Sequence, residues 1–145
     1  MDAQSDRSKV LFLCTGNSCR SQMAEGWLRH LKSSKYEAFS AGIEHHGLDE
    51  IAVRVMAEVG VDISHQRSKL FSELMMVPDF IVTVCSNAEK NCPHLAPKTR
   101  KAHAIFRDPP TMALELDSDK DILECYRNVR DEIRVFVEDI ETCLL

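Results

Sequence analysis

The run Cys14-Thr15-Gly16-Asn17-Ser18-Cys19-Arg20-Ser21 sets a thiol and a guanidinium six residues apart. A loop of that length can wrap a tetrahedral oxyanion. Arg20 offers a rigid fork of donors that matches two oxygens, and glycine and asparagine tolerate the positive φ that turns successive N–H groups inward as an anion nest. Gly16 and Asn17 are the residues expected to supply that geometry. The loop is flanked by Val10-Leu11-Phe12-Leu13, an apolar run suited to a strand buried on both faces, and by Met23, Ala24, Trp27, Leu28 and Leu31 at helical spacing over Ser21 to Leu31. It therefore joins a strand to a helix N-terminus, where unpaired N–H groups and aligned peptide dipoles favour negative charge. A cysteine placed there beside an arginine has its pKa drawn down from about 8.5 into the range of roughly 3.5 to 7.5. Cys14 is thus the expected thiolate nucleophile, with the Ser21 hydroxyl donating to it. Thr15, Gly16, Asn17, Ser18, Cys19, Arg20 and Ser21 are the expected oxyanion-binding residues, Cys19 serving to pack the loop.

Strand and helix patterns alternate along the chain in the way that builds a parallel α/β sheet. After the first helix come a strand near Tyr36 to Ser40, a helix from about Asp49 to Val59, a strand Phe80 to Val84 and a strand from about Ala102 to Phe106. A final helix covers roughly Lys120 to Thr142, with Cys125 and Cys143 near its apolar stripe and read as structural. The fold class is therefore α/β, a single domain over residues 1–145 with a four-stranded parallel sheet flanked by helices. In such sheets ligands bind beyond the carboxyl ends of the strands, at the point where strand order reverses. Cys14 closes the first strand, Cys85 closes the third and Asp108 follows the fourth. If the first and third strands are neighbours, about 4.8 Å apart, Cys14 and Cys85 come within the separation a disulfide needs.

The chain has 145 residues, a net charge of -5 and six cysteines. An acidic chain with no basic face argues against nucleic acid or an anionic membrane surface as a partner, so an anionic substrate must be captured locally. No apolar stretch approaches a membrane span, and no signal-like segment stands at the start, which points to a cytoplasmic protein with reduced thiols; a monomer is the default. Cys85 and Cys92 with His94 and His103 offer a zinc-ligand alternative, but the seven-residue gap suits zinc poorly. His30, His45, His46 and His65 are assigned no part in the chemistry.

Cys14 to Ser21, the following Gln22-Met23-Ala24-Glu25-Gly26-Trp27, the Ser40-Ala41-Gly42 turn, Asp62-Ile63-Ser64 and Asp108-Pro109 together resemble the low-molecular-weight protein tyrosine phosphatase fold over nearly the whole chain. Within it, Val82-Thr83-Val84-Cys85 followed by Asn91-Cys92-Pro93 is more similar to the thioredoxin-coupled arsenate reductases. That resemblance implies a sequence of steps. Cys14 attacks arsenate held by the Thr15 to Arg20 nest while Asp108 acts as general acid; Cys85 then attacks Cys14, Cys92 attacks Cys85, and thioredoxin reduces the resulting disulfide. The segment Ser86 to Asn91, if helical, must unwind for the last exchange, and its Ser and Asn residues together with Pro93 and Pro97 make that inexpensive. No cofactor is implied beyond the reductant. Many of these reductases hold potassium beside the nest through side chains matching Asn17, Glu25 and Ser40, with a threonine and an aspartate where this chain has Arg67 and Lys69. That departure makes the site doubtful and Lys69 the candidate replacement for the ion. The alternative function is a phosphotyrosine phosphatase using the same Cys14, Arg20 and Asp108, yet Pro109-Pro110-Thr111 offers no aromatic wall for a phenyl ring.

Overall fold

The computed structural model describes residues 7–92 and 97–144. Pro93 and His94, which enter the sequence reading as a helix breaker and a zinc-ligand candidate, lie outside the described residues. The elements run β1 (Ser8–Cys14), α1 (Arg20–Lys32), β2 (Tyr36–Gly42), α2 (Glu50–Ala57), β3 (Phe80–Thr83), α3 (Ser86–Lys90), β4 (Arg100–His103), α4 (Pro109–Ala113), α5 (Asp119–Glu138) and α6 (Ile140–Leu144). The strands form one parallel sheet in the order β2-β1-β3-β4. Val10, Leu11, Phe12 and Leu13 are fully buried, as a central parallel strand covered on both faces requires. The sheet order reverses between β1 and β3, whose register pairs Leu13 with Thr83. Cys14 and Cys85 consequently leave adjacent strands at the same edge, as the sequence leads one to expect.

Packing follows the apolar stripes. Met23, Ala24, Trp27 and Leu28 of α1 are buried, and α1 lies against β2 and α5. Tyr126, Val129, Ile133 and Val137 line the buried stripe of α5. Trp27 ties the two helices together: its indole N–H donates to the Arg130 carbonyl at 3.1 Å, and the Arg134 guanidinium lies 5.3 Å from its ring centroid.

The structure differs from the sequence reading in three places. β4 starts at Arg100, two residues before the expected strand, because Arg100, Lys101 and His103 form a charged sheet edge that hides its own beginning. Its ladder nonetheless continues past the strand, with Ala104 N donating to Thr83 O at 2.9 Å and Phe106 N to Val84 O at 3.1 Å. The final helix breaks at Asp139, which allows Ile140 and Leu144 of α6 to turn into the core. Finally, α4 appears where only a turn is legible, starting on two prolines whose fixed φ suits the first helical positions.

Trp27→Ala is expected to lower unfolding stability by about 3–5 kcal/mol, the range for truncating a fully buried aromatic. Urea denaturation followed by circular dichroism measures it, and a change under 1 kcal/mol would show that α1 and α5 do not depend on this contact.

Candidate active site

The loop between β1 and α1 is held from outside. Ile43 N donates to Cys14 O at 3.2 Å, Glu44 N to Thr15 O at 2.8 Å, His46 N to Gly16 O at 2.9 Å and Asp49 N to Ser18 O at 3.0 Å. Gln22 Nε2 donates to Asn17 O at 3.0 Å, and Ser68 Oγ donates to Gly16 O at 3.0 Å. Five successive carbonyls are therefore turned away from the loop interior. In a planar trans peptide the N–H of the next residue points opposite to the carbonyl, so the amides of Thr15 through Cys19 turn inward. That is the nest, produced by bonds to the segment that follows β2, to Gln22 and to Ser68.

Asn17 supplies the tight bend. It has φ +50, the only positive φ among described non-glycine residues, and its side chain locks it there. Asn17 Nδ2 donates to Ser21 Oγ at 2.9 Å, while Oδ1 accepts from Lys69 N at 2.9 Å and Gln22 Nε2 at 3.1 Å. Gly16 does not adopt positive φ, contrary to the sequence reading. A Cβ there would lie 2.3 Å from His46 Nδ1, so the imidazole stands directly over this residue. Ser21 likewise departs from expectation: its hydroxyl accepts from Asn17 and makes no bond to Cys14, because the first turn of α1 directs it into the loop's own bracing. Cys19 is buried at the N-cap of α1, consistent with packing, and burial pushes its thiol well above the ordinary range, with Asp49 and Asp108 adding to the effect.

Arg20 faces the same cavity. One Nη donates to Phe106 O at 2.9 Å and the other lies 3.5 Å from Asp108 Oδ1. Its Nε–H is buried and has no partner. An unmatched buried donor on a guanidinium is costly, and an oxyanion in the nest is the species that would satisfy it. Asp108 sits at the start of α4, where Thr111 Oγ1 donates to Oδ2 at 2.6 Å and leaves Oδ1 toward Arg20. Cys14, Gly16, Arg20, His46, Asp108 and Pro110 line a cavity of about 240 Å³. A larger cavity of about 510 Å³ lies between α4 and α5 and contains none of Cys14, Arg20, Cys85 or Asp108. His46 is thus a cavity residue that sequence reasoning set aside; the only signal for it was its position two residues beyond Glu44 on the segment following β2.

The thiols correct the sequence reading most instructively. Cys14 and Cys85 leave adjacent strands side by side, close enough for each thiol to shift the other, and both are only 4% exposed. Cys85 Sγ also accepts from Ala88 N at 3.3 Å and from Thr15 Oγ1 at 3.3 Å. The direction of that last bond follows from Asn87 Nδ2, which donates to Thr15 Oγ1 at 2.9 Å and leaves the threonine proton for sulfur. With the Cys14 hydrogen bond as the largest cause, then Thr15, Ala88 and Arg20, and with burial opposing, the Cys85 thiol is drawn down to about 5. Cys14 moves the other way. Its hydrogen bond to Cys85 and its burial raise it above the ordinary thiol range, only partly countered by Arg20 and the Thr15 N–H. The two shifts run in opposite directions, as in a coupled pair, with Cys85 the thiol drawn down and Cys14, the expected thiolate, the one raised.

Cys92 follows α3, half-buried, with burial raising its thiol and Lys101 opposing. Seven residues at helical rise span roughly 10 Å, beyond the Cα separation of a disulfide, so a Cys85–Cys92 bond requires α3 to open. α3 is a five-residue helix with only Ala88 buried. His103, whose Nδ1 is bonded to Thr83 Oγ1 at 2.5 Å, reaches Glu89 of α3 with Nε2 at 3.7 Å.

Beneath the nest lies a buried polar cluster. Ser40 Oγ donates to Glu25 Oε1 at 2.5 Å, Arg29 pairs with the other Glu25 oxygen, and Lys69 Nζ lies 3.9 Å from Glu25 Oε1 while donating to Arg67 O at 3.1 Å. Lys69 is brought there by a parallel bridge between Gly42 and Leu70, in which Gly42 N donates to Lys69 O at 2.8 Å. Burial lowers the Lys69 pKa, with Glu25 opposing. Arg67 contributes its carbonyl, and its side chain is exposed. Among the described residues no group of three or more His, Cys, Asp or Glu side chains converges as a metal site, and no helix is long and apolar enough to cross a membrane.

Residues 9–144 match the family described as low molecular weight phosphotyrosine protein phosphatase. Among individual relatives, arsenate reductase 2 of Staphylococcus epidermidis is 42% identical over 138 residues, covering 94% of this chain and 98% of the relative. A solved arsenate reductase in its reduced state superposes with a TM-score of 0.70 at 30% identity, covering 92% of this chain and 95% of that one. A low molecular weight protein tyrosine phosphatase from T. tengcongensis gives 0.72 at 26% identity, covering 93% and 98%.

Thiolate absorbance near 240 nm should titrate with one thiolate per chain and a midpoint near pH 5, the value to which Cys85 is drawn. Because its thiol is lowered, the charge is present above that pH and lost below it. Cys85→Ser should move this step to Cys14, which keeps Arg20 and the Thr15 N–H, and Cys14→Ala should raise the midpoint by removing the largest cause of the lowered Cys85 value. A midpoint near pH 8.5 in the parent protein would rule out the coupling.

Proposed function

This chain belongs to the low molecular weight phosphotyrosine protein phosphatase family, and from that premise we propose that it is an arsenate reductase whose electrons pass through Cys14, Cys85 and Cys92. The observation that carries this reading is the placement of a second buried thiol, Cys85, beside Cys14 at the carboxyl edge of two paired strands. Hydrolysis of a phosphate ester needs one thiol. Conversion of arsenate to arsenite needs two electrons, which Cys14 and a second thiol beside it supply together by forming a disulfide.

The geometry supports the following course. Arsenate is held by the inward amides of Thr15 to Cys19 and by the free Nε–H of Arg20. Cys14 gives its proton to the Cys85 thiolate as its own sulfur attacks arsenic. Asp108, held beside Arg20, protonates the departing oxygen, which leaves as water. After Cys85 loses its acquired proton to solvent, its sulfur attacks Cys14 Sγ. The sulfur–arsenic bond breaks with its electron pair retained on arsenic, arsenite leaves, and a Cys14–Cys85 disulfide remains. Cys92 then attacks Cys85, releasing Cys14 as a thiolate. α3 opens at this step and presents the Cys85–Cys92 disulfide to an external dithiol protein, for which thioredoxin is the proposed donor. A monomer acting in the cytoplasm completes the reading.

The three thiols separate cleanly by experiment. With thioredoxin, thioredoxin reductase and NADPH supplied, Cys14→Ser should release no arsenite, and Cys92→Ser should release one arsenite per chain and stop. Cys85→Ser should lose reduction yet keep a weak hydrolysis of an activated aryl phosphate, since Cys14, Arg20 and Asp108 remain. Sustained arsenite release by Cys92→Ser would refute the relay.

The residues matching the family's potassium donors do not fit a free ion here. Asn17 Oδ1 is occupied by two donors, Ser40 is turned onto Glu25, and the Glu25 charge is met by Arg29 and Lys69. We therefore propose that the Lys69 ammonium stands in for the cation. Kinetics and Tm should be the same in potassium and in tetramethylammonium at equal ionic strength. Lys69→Ala should cost roughly 1–3 kcal/mol, the range for leaving a buried polar group short of a partner, and should acquire a potassium response. A stabilisation of the parent protein specific to potassium would contradict this.

A further inference from the structure

The cavity holds little positive charge for the anion proposed to occupy it. Arg20 supplies one unit, the Asp108 carboxyl lies 3.5 Å from it, and the Cys85 thiol beside the nest is drawn toward its anionic form. A doubly charged oxyanion entering the nest leaves that balance strongly negative. Among the groups lining the cavity, His46 is the one further side chain that can become a cation near neutral pH. Its placement is specific. Its backbone N–H donates to Gly16 O at 2.9 Å, and its ring lies so close over Gly16 that a methyl group there would collide with Nδ1 at 2.3 Å. At the far side of the ring, Nε2 is bonded to Glu44 Oε2 at 2.7 Å.

We infer that His46 is an oxyanion-binding residue, an imidazolium formed when a dianion enters the nest and held in place by Glu44. The inference deepens the proposed function, because it assigns the site a preference for free tetrahedral dianions. With Nε2–H directed at the Glu44 carboxylate, the proton taken up goes to Nδ1, the nitrogen over the nest. Glu44 then compensates the new charge from behind, as a carboxylate does for a catalytic imidazole. Several other groups near the ring respond to pH or carry charge. They are Glu44 and His45 on its own segment, Asp49 where that segment enters α2, Cys14 and Arg20 from the nest, and Asp108 from the start of α4. Proton exchange by the nest itself is common to both proteins, so the reading lies in the difference between the parent protein and a His46 variant.

Sulfate is the suitable probe, being tetrahedral, unreactive and doubly charged throughout the pH range used. Its binding to the reduced protein is measured by calorimetry at pH 6, 7 and 8 in buffers of differing ionisation enthalpy, which reports protons taken up. The parent protein should bind sulfate more tightly at pH 6 than at pH 8 and take up a proton fraction that His46→Gln lacks. His46→Gln retains a donor toward Glu44 and cannot become cationic. It should weaken binding at pH 6 by five- to tenfold, a modest factor because the His46 and Glu44 side chains are 55% and 62% exposed and their interaction with an anion is screened. At pH 8 its affinity should equal that of the parent. Glu44→Gln leaves the ring and should weaken binding at pH 6 in the same direction by a smaller factor. Equal affinity and equal proton uptake in the parent protein and His46→Gln at pH 6 would overturn the inference, as would an equal loss at pH 6 and pH 8, which marks a structural effect. The two readings fail separately. Proton-linked sulfate binding without arsenite formation would refute the arsenate reductase reading alone, whereas arsenite formation with sulfate binding indifferent to His46→Gln would refute this one alone.

Discussion

The inversion of the peptides from Cys14 to Ser18 is the constraint on which the rest of the molecule depends. A seven-residue loop does not hold five carbonyls outward by itself. The donors come from Ile43, Glu44, His46 and Asp49, from the Gln22 amide and from Ser68, so three separate stretches of chain close on one loop. The end of β2 must therefore approach the loop very closely. A Cβ on Gly42 would lie 2.2 Å from Glu44 O and 2.9 Å from Asn17 N, which is why this strand terminates in glycine. Asp49 extends the linkage: its carboxylate caps α2 at Ile51 N and also accepts from the Tyr126 hydroxyl on α5 at 2.7 Å. A distortion in the nest is thus resisted by both α2 and α5.

Sheet topology supplies the second condition. With the order β2-β1-β3-β4, the strand carrying the nest lies beside the strand ending in Cys85, and no loop needs to travel for two sulfurs to meet. Their contact then alters the acid–base chemistry of both. An arginine and a helix start would be enough to ionise a solitary cysteine, but two buried thiols in contact cannot both ionise, and the one with more donors takes the charge. Cys85 has Ala88 N–H and the Thr15 hydroxyl in addition to the Cys14 thiol, and it wins.

Much of this was legible in the sequence. The apolar run Val10 to Leu13, the stripe of α1 and the apolar strand before Cys85 carry periodicities that admit few other arrangements, and their order predicts a parallel sheet with Cys14, Cys85 and Asp108 at one edge. What escaped the sequence are features set by long-range contact. The charge distribution between Cys14 and Cys85 depends on Thr15 and Asn87, which lie 72 residues apart and share a hydrogen bond. His46 has no local pattern to mark it, since its role depends on Gly16 passing beneath its ring. The approach of Lys69 to Glu25 rests on an isolated bridge between Gly42 and Leu70, too short to leave any periodicity. β4 was misplaced for the opposite reason, its charged edge residues resembling a loop.

The cap of α3 and the reactive sulfur of Cys85 are the same atom, since Ala88 N–H is satisfied by Cys85 Sγ. A thiolate is a strong acceptor and a disulfide sulfur a weak one, so oxidation of Cys85 removes the cap by changing the charge of the atom that makes it. A five-residue helix has little else to retain its form. The molecule therefore needs no separate sensor to announce that electrons have been spent. In the proposed relay, α3 and its cap would follow the oxidation state of Cys85 directly, folded on the reduced protein and loosened on the oxidised one.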